Sequence, residues 1–276
     1  MMNLPEDSLA ARLAVMEQVA RAAGDLALEY FARLDALEIE TKRGLTDMVT
    51  IADREVEQLI RARLQAKFPG DAFLGEEYGH SEGTTGLTWV IDPIDGTAPF
   101  LNGMPGWCVS IGLMDGKGPL LGAIFAPVLG EMYLGGRGVG VTLNGKPVHV
   151  TRRFDLSTGL LGIGVNDLAE PQRLGRLYAD LADQGIAHVR YGSGALMLAF
   201  VAAGRLVGYA EPRMALWDCC AAYALIEAGG GRVAPLGPQA LQGKQFGVLA
   251  CVSQDFDRLT ALTQFDGAEW DRAATP

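Results

Sequence analysis

The chain has 276 residues, 49% of them hydrophobic and 20% charged, which is the composition of one large domain or two lobes sharing a core and excludes a disordered or fibrous protein. A formal net charge of −10 argues against nucleic acid or an anionic membrane surface as the main partner, because both demand a basic footprint. It does not argue against a phosphorylated substrate, since bound divalent cations turn a carboxylate cluster into a phosphate receptor.

Leu9, Leu13, Met16, Ala20, Ala23, Ala27, Tyr30 and Leu34 recur at alternating steps of four and three, which predicts one stripe of a long amphipathic helix. A short strand over 38–42 and a loop over 43–47 follow, with Lys42 and Asp47 polar where the chain reaches a second helix. That helix starts at Thr50 to Asp53, runs through Val56, Leu59, Ile60 and Leu64, and stops at Phe68-Pro69-Gly70. Thr50 and Asp53 have capping-box spacing, so on spacing alone Asp53 reads as a cap. Residues 73–77 read as a short strand ending in acid at Glu76 and Glu77, and 79–87, rich in Gly, Ser and Thr, as a mobile loop.

The stretch from Trp89 to Thr97 is an apolar strand that ends in two carboxylates, a proline, a glycine and a hydroxyl. Pro93 stiffens the turn and favours an extended Asp92, so Asp92 and Asp95 are offered from a rigid strand end, as oxygen ligands suited to a hard cation. Gly96 lets the backbone approach a ligand, and the amides of Gly96 and Thr97 can face an anion. Taken alone, the same residues also describe an Asx-type turn after a strand.

Strands then follow over 109–114, 120–126, 132–134 and 139–143 as an antiparallel meander, with Asn144-Gly145 as a hairpin signal and 135–138 as a glycine-rich turn. The first lobe is expected to span 1–151 and to carry the Asp92 to Thr97 turn. The second, 152–276, reads as a strand (160–165), a helix (171–184), a strand (187–191), a helix (193–203), a strand (207–211), the helix of Trp217-Asp218 (217–227), two strands and a last helix. Gly192-Ser193-Gly194 opens the helix from Ser193 as an N-cap or a weak anion-binding turn. No dinucleotide or P-loop glycine pattern occurs.

No apolar run is long enough to span a membrane, and the start, carrying Glu6 and Asp7, lacks the basic region of a secretory signal. Cys108, Cys219, Cys220 and Cys251 form no C-x-x-C pair and read as reduced thiols of a cytoplasmic protein. His80, His149 and His188 lack ligand spacing, which disfavours zinc and a histidine-based triad.

Trp89-Val90-Ile91-Asp92-Pro93-Ile94-Asp95-Gly96-Thr97 matches W-x-x-D-P-[IL]-D-G-T, and Trp217, Asp218 and Ala221 with the Glu227-Ala228-Gly229-Gly230 ending match a second, downstream signature. Gly75-Glu76-Glu77 and the V-T-x-x-D run of Val49 to Asp53 lie upstream in the matching order. Over nearly its whole length the chain resembles the inositol monophosphatase family of magnesium-dependent phosphatases. The resemblance implies an α/β fold of the α+β type, a layered αβαβα sandwich of two lobes with mixed, largely antiparallel sheets, and a homodimer. It implies two to three Mg²⁺ per subunit. One ion is held by Glu76, Asp92 and the Ile94 carbonyl, a second by Asp92, Asp95 and Asp218, and a third, weaker one leans on Glu76 and water, with sensitivity to lithium.

By the same resemblance Asp53 and Thr97 orient the attacking water, and the substrate is a small phosphorylated metabolite contacted by Asp95, Gly96, Thr97, Gly192, Ser193, Gly194, Glu211 and Asp218. The family acts on inositol monophosphates, histidinol phosphate, fructose 1,6-bisphosphate or adenosine 3',5'-bisphosphate. Pro99 and Pro212-Arg213 depart from the inositol branch, and 101–105 looks somewhat like the histidinol branch. Glu211 beside Arg213 favours a polyol such as myo-inositol 1-phosphate. A non-enzymatic protein keeping the fold is the rival reading, and no residue favours it.

Overall fold

A computed structural model describes residues 8–34, 39–41, 48–151, 153–165, 171–237 and 239–263. The expected loop at 43–47, with Lys42 and Asp47, lies outside them, as does the Thr50 side chain.

Helix α1 (Leu9–Phe31) is capped by Ser8, whose Oγ accepts the Ala11 N–H at 3.2 Å. It buries Met16, Ala20, Ala23 and Ala27 of the predicted stripe. Strands β1 (Ile39–Thr41) and β2 (Met48–Thr50) pair antiparallel, and α2 (Ile51–Lys67) follows, burying Val56, Ile60 and Leu64.

The larger sheet has eight strands: β3 (Ala72–Gly75), β4 (Gly79–Ser81), β5 (Thr88–Asp95), β6 (Cys108–Asp115), β7 (Gly118–Ala126), β8 (Glu131–Gly136), β9 (Gly140–Leu143) and β10 (Lys146–Pro147), in the order β10-β9-β8-β7-β6-β5-β3-β4. From β5 to β10 it is the expected meander, while β3 joins β5 in parallel. Two expectations change here. The segment read as loop from residue 79 begins with β4, which folds back on β3 as an edge strand whose small, polar residues hide the apolar alternation of a strand. Gly135 and Gly136 belong to β8 rather than to a turn, because a Cβ at Gly135 would stand 2.0 Å from the Gly140 carbonyl oxygen on the next strand.

The second sheet holds β11 (Leu161–Ile163), β12 (His188–Val189), β13 (Gly208–Met214), β14 (Arg232–Val233) and β15 (Phe246–Cys251), in the order β12-β11-β13-β15-β14. Strand β13 runs past the expected end at Glu211, because an irregularity in its pairing with β15 between Glu211 and Met214 accommodates Pro212, which has no N–H for the ladder. Helices α3 (Thr97–Leu101), α4 (Pro171–Asp183), α5 (Gly194–Ala202), α6 (Leu216–Ala228) and α7 (Phe256–Thr263) complete the chain.

Three apolar cores fix the layering. Helices α1 and α2 cover one face of the large sheet through Trp89, Ile91, Val109, Ile111 and Phe125. The opposite face packs on α5 and α6, which also meet the second sheet at Tyr209, Phe246 and Val248. The far side of that sheet is closed by α4 and α7 around Leu177, Leu181, Phe256 and Leu259. The result is the αβαβα sandwich. Helices α5 and α6 carry apolar residues all round because they lie between two sheets. Each Leu or Ile fully buried there contributes about 1.5–3 kcal/mol relative to exposure. Helix α6 lies directly on the large sheet where glycines leave room, since a Cβ at Gly122 would be 2.1 Å from the Ala221 carbonyl oxygen. That contact sets the height of α6, and with it Asp218, above β5 to β7.

Candidate metal-dependent active site

The site is built on the end of β5. Its start is anchored by Trp89, whose indole N–H donates to Asp71 Oδ2 at 2.9 Å, while the Asp71 carboxylate also accepts the Thr85 hydroxyl at 2.6 Å and pairs with the buried Arg12 guanidinium. At its other end the register against β6 shifts between Asp92 and Asp95. In a regular strand residues three apart point to opposite faces, so this irregularity is what lets the two carboxylates converge. The Asx turn is present: the Ile94 N–H donates to Asp92 Oδ1 at 3.0 Å, and the Thr97 hydroxyl donates to the Ile94 carbonyl at 3.3 Å. The turn and the convergence of the carboxylates are the same structure. Gly96 has φ +92°, and a Cβ there would stand 2.8 Å from the Gly106 carbonyl oxygen and 2.9 Å from Ser193 Cβ.

Asp95 reaches across to the central helical layer. Its Oδ2 accepts the Ala195 N–H at 2.7 Å and the Ser193 hydroxyl, and Ser193 caps α5 by accepting the Leu196 N–H at 3.1 Å. Ser193 is buried and its hydroxyl is committed to Asp95, while Gly192 lies on the surface with φ +104° and packs so closely on Pro99 that a Cβ would meet its Cγ at 2.4 Å. Asp218 stands in the first turn of α6 and accepts the Ala215 N–H at 2.9 Å. One oxygen each from Asp92, Asp95 and Asp218 lies within 4.8 Å of the others. Half-buried Glu76, in the turn after β3, and buried Asp53, in the first turn of α2, are near enough for their charges to act on Asp92.

Burial first, and then mutual repulsion with Glu76, Asp95, Asp218 and Asp53, pushes the Asp92 carboxyl well above the usual range. Asp218 is raised in the same way by burial and by Asp95 and Glu76. Burial raises Asp95 to about 6 even though Ser193, Ala195 and Leu196 pull the other way. Acidic oxygens crowded with no nitrogen ligand suit a hard divalent cation, whose charge removes the repulsion. The nearby Cys108 thiol, 4.0 Å from Asp95 Oδ2, is held neutral by burial and offers no thiolate ligand.

Glu211 lies beyond the cluster across Gly194, whose Cβ would be 3.5 Å from Glu211 Oε2. It accepts a hydrogen bond from the buried Tyr209 hydroxyl, and Gly164 leaves it room, since a Cβ there would be 2.1 Å from the same oxygen. Burial raises Glu211 to about 7, Asp95 adds to the rise, and Arg190 opposes it. Tyr209 and Arg190 did not stand out in the sequence. Tyr209 was accessible through the two-residue period of β13, which puts it on the same face as Glu211. Arg190 is an ordinary exposed arginine until the fold sets it near that carboxylate.

The inositol monophosphatase family model matches residues 8–272. An inositol-1-monophosphatase of Rhizobium meliloti (strain 1021) is 37% identical over 226 residues, covering 80% of this chain and 84% of that protein. A histidinol-phosphatase of Chlorobaculum parvum is 37% identical over 215 residues, covering 78% and 82%. The crystal structure of the extragenic suppressor protein suhB from Bartonella henselae superposes with a TM-score of 0.85 at 28% identity, covering 92% of this chain and 98% of that one. The fold and its acidic cluster are those of a metal-dependent phosphatase. The chain belongs to the inositol monophosphatase family.

The raised carboxyls give the metal-free protein a distinct pH response. Asp95 titrates at about 6 when folded and about 3.9 when unfolded, and Asp92 and Asp218 are displaced in the same direction. The folded state therefore binds more protons above pH ~4, so the site's contribution to stability is complete below pH ~4 and is lost as pH rises through 6 and beyond. Urea unfolding in EDTA is expected to show this fall between pH 5 and 8, and Mg²⁺, which favours the ionised carboxylates, to flatten it. A fall of equal size in an Asp92→Asn, Asp95→Asn, Asp218→Asn triple variant would assign it to other groups.

Proposed function

We propose that the protein is a Mg²⁺-dependent phosphomonoesterase that releases phosphate from a small polyol phosphate such as myo-inositol 1-phosphate. The observation that carries the reading is the convergence of Asp92, Asp95 and Asp218 within 4.8 Å at a bulged strand end, with Glu211 beyond it. Asp92, Asp95, Asp218, Glu76 and the Ile94 carbonyl are the groups we assign to the cations. Cations held there would supply Lewis-acid stabilisation of the phosphoryl oxygens and the departing alkoxide, and would lower the pKa of bound water. Thr97 and Asp53 orient the attacking water, and Asp53 accepts its proton. The Gly96 and Thr97 amides face the phosphate, and the backbone of Gly192 to Gly194 borders the alcohol. The four free, buried cysteines agree with a reducing cytoplasm, no described helix is long and apolar enough to cross a membrane, and we take the working unit to be a homodimer.

Glu211 guides the choice of alcohol. A carboxyl raised to about 7 is partly protonated at neutral pH, which weakens it as a partner for an ammonium group but leaves it able to accept and donate hydrogen bonds to hydroxyls. Activity on myo-inositol 1-phosphate is expected to exceed that on histidinol phosphate, fructose 1,6-bisphosphate and adenosine 3',5'-bisphosphate, and to vanish in EDTA. Glu211→Gln is expected to raise KM for the inositol ester by an amount equivalent to about 1 kcal/mol with little change in kcat, because glutamine can still accept from Tyr209. A preference for histidinol phosphate that the variant abolishes would reverse the choice of alcohol and leave the phosphate chemistry standing.

A further inference from the structure

We infer that Glu57 is a positioning residue for the metal site, acting with Arg61 to fix the turn that presents Glu76. The inference rests on Glu76 being a metal ligand in the proposed reaction. Glu57 is fully buried in α2, one helical turn after Asp53 and on the same face. Its Oε2 accepts the Glu77 N–H at 2.7 Å, and its Oε1 accepts the Tyr78 N–H at 3.3 Å and the Arg61 Nε–H at 2.6 Å. The other arm of Arg61 donates to the Gly79 carbonyl. Three consecutive residues after Glu76 are thus held by one ion pair on a neighbouring helix.

The other side of the turn is equally committed. The Glu76 N–H donates to the Ile91 carbonyl at 3.2 Å, one residue before Asp92, so the backbone of Glu76 is tied to the strand that carries two of the cluster's aspartates. Gly75 is where the clamp needs space: a Cβ there would lie 2.0 Å from Glu57 Oε1. A hairpin needs no buried carboxylate merely to turn. Burial drives such a group toward its neutral form, and the bonds from Glu77, Arg61 and Tyr78 act against that drive. Those bonds fix the direction in which Glu76 leaves the backbone. The same helix therefore carries Asp53 and sets the position of Glu76, which links the two acidic residues that lie outside the Asp92, Asp95 and Asp218 cluster.

The test is direct Mg²⁺ binding to the purified metal-free protein, by calorimetry and by the rise in melting temperature with Mg²⁺, for wild type, Glu57→Gln, Arg61→Lys and Glu76→Gln. Glu57→Gln replaces one acceptor oxygen with an amide NH₂ that faces other donors, and Arg61→Lys keeps the charge but loses the forked reach from Glu57 to Gly79. Both are expected to need about 10-fold more Mg²⁺ for half-saturation, the scale on which outer supports of a metal ligand act. At saturating Mg²⁺ both should recover turnover to within about threefold of wild type, as a group that never touches the reacting atoms must. Half-saturation within about twofold of wild type in both variants, with Glu76→Gln clearly weakened, overturns the positioning role alone. An unchanged affinity in Glu76→Gln removes Glu76 as a ligand and the inference with it.

Discussion

Asp95→Asn is expected to fold, to bind the divalent cation at least ~10-fold more weakly, and to lose about 10³-fold in kcat at saturating Mg²⁺. The reason is that Asp95 has two tasks and an asparagine has one carbonyl oxygen. In the wild type Oδ2 is occupied by the Ser193 hydroxyl and the Ala195 N–H at the start of α5, and the carboxylate still contributes an oxygen to the cluster with Asp92 and Asp218. Asparagine can satisfy the donors of α5 only by turning its NH₂ group toward the cation, or face the cation only by leaving those donors poorly paired. Stability should move the other way. Asp95 repels Asp92 and Asp218, so neutralising it in metal-free protein relieves a buried conflict, and its melting temperature in EDTA should be no lower than wild type. A near wild-type kcat at saturating Mg²⁺ would falsify the role given to Asp95.

The sequence carried the layers unevenly. The stripe from Leu9 predicted α1 because a surface helix shows its buried face at a regular period, and the meander was legible because its strands are apolar runs cut by Gly, Pro and Asn-Gly. Strand β4 was not, since Gly79, His80 and Ser81 are small or polar, and the turn that brings them back onto β3 is held by Glu57, a contact twenty residues away in the chain. Nor did the extent of β8 show, because its final glycines are demanded by a neighbouring backbone and not by their own turn propensity. The same distinction runs through the site. Asp92, Asp95 and Asp218 stand in motifs whose odd composition marks them, whereas Glu57, Tyr209 and Arg190 are common residues in ordinary elements whose meaning is entirely tertiary. Spacing alone made Asp53 a cap and the family resemblance made it a catalytic residue, and the fold leaves both in play by burying it in the first turn of α2 near Asp92.

Asp53→Asn separates those readings. Asparagine caps a helix about as well as aspartate and has nearly its volume, so a residue that only caps should lose neither stability nor turnover. A residue that also receives the proton of the attacking water should lose turnover alone, because an amide oxygen can still hold the water by a hydrogen bond but has no useful basicity. The expected result is a fall in kcat of about 10²-fold, the lower range for loss of a positioned base, with KM nearly unchanged because the residue is assigned to the water and not to the phosphate or the alcohol. Melting in EDTA should hold or rise slightly, since Asp53 is 2% exposed and adds to the repulsion that raises Asp92. Mg²⁺ half-saturation should stay close to wild type, which distinguishes this variant from Asp95→Asn, where affinity and turnover fall together. Unchanged turnover would return Asp53 to the helix as a cap and leave the water to be oriented by Thr97, whose hydroxyl already bridges to the Ile94 carbonyl between the two aspartates of the strand end.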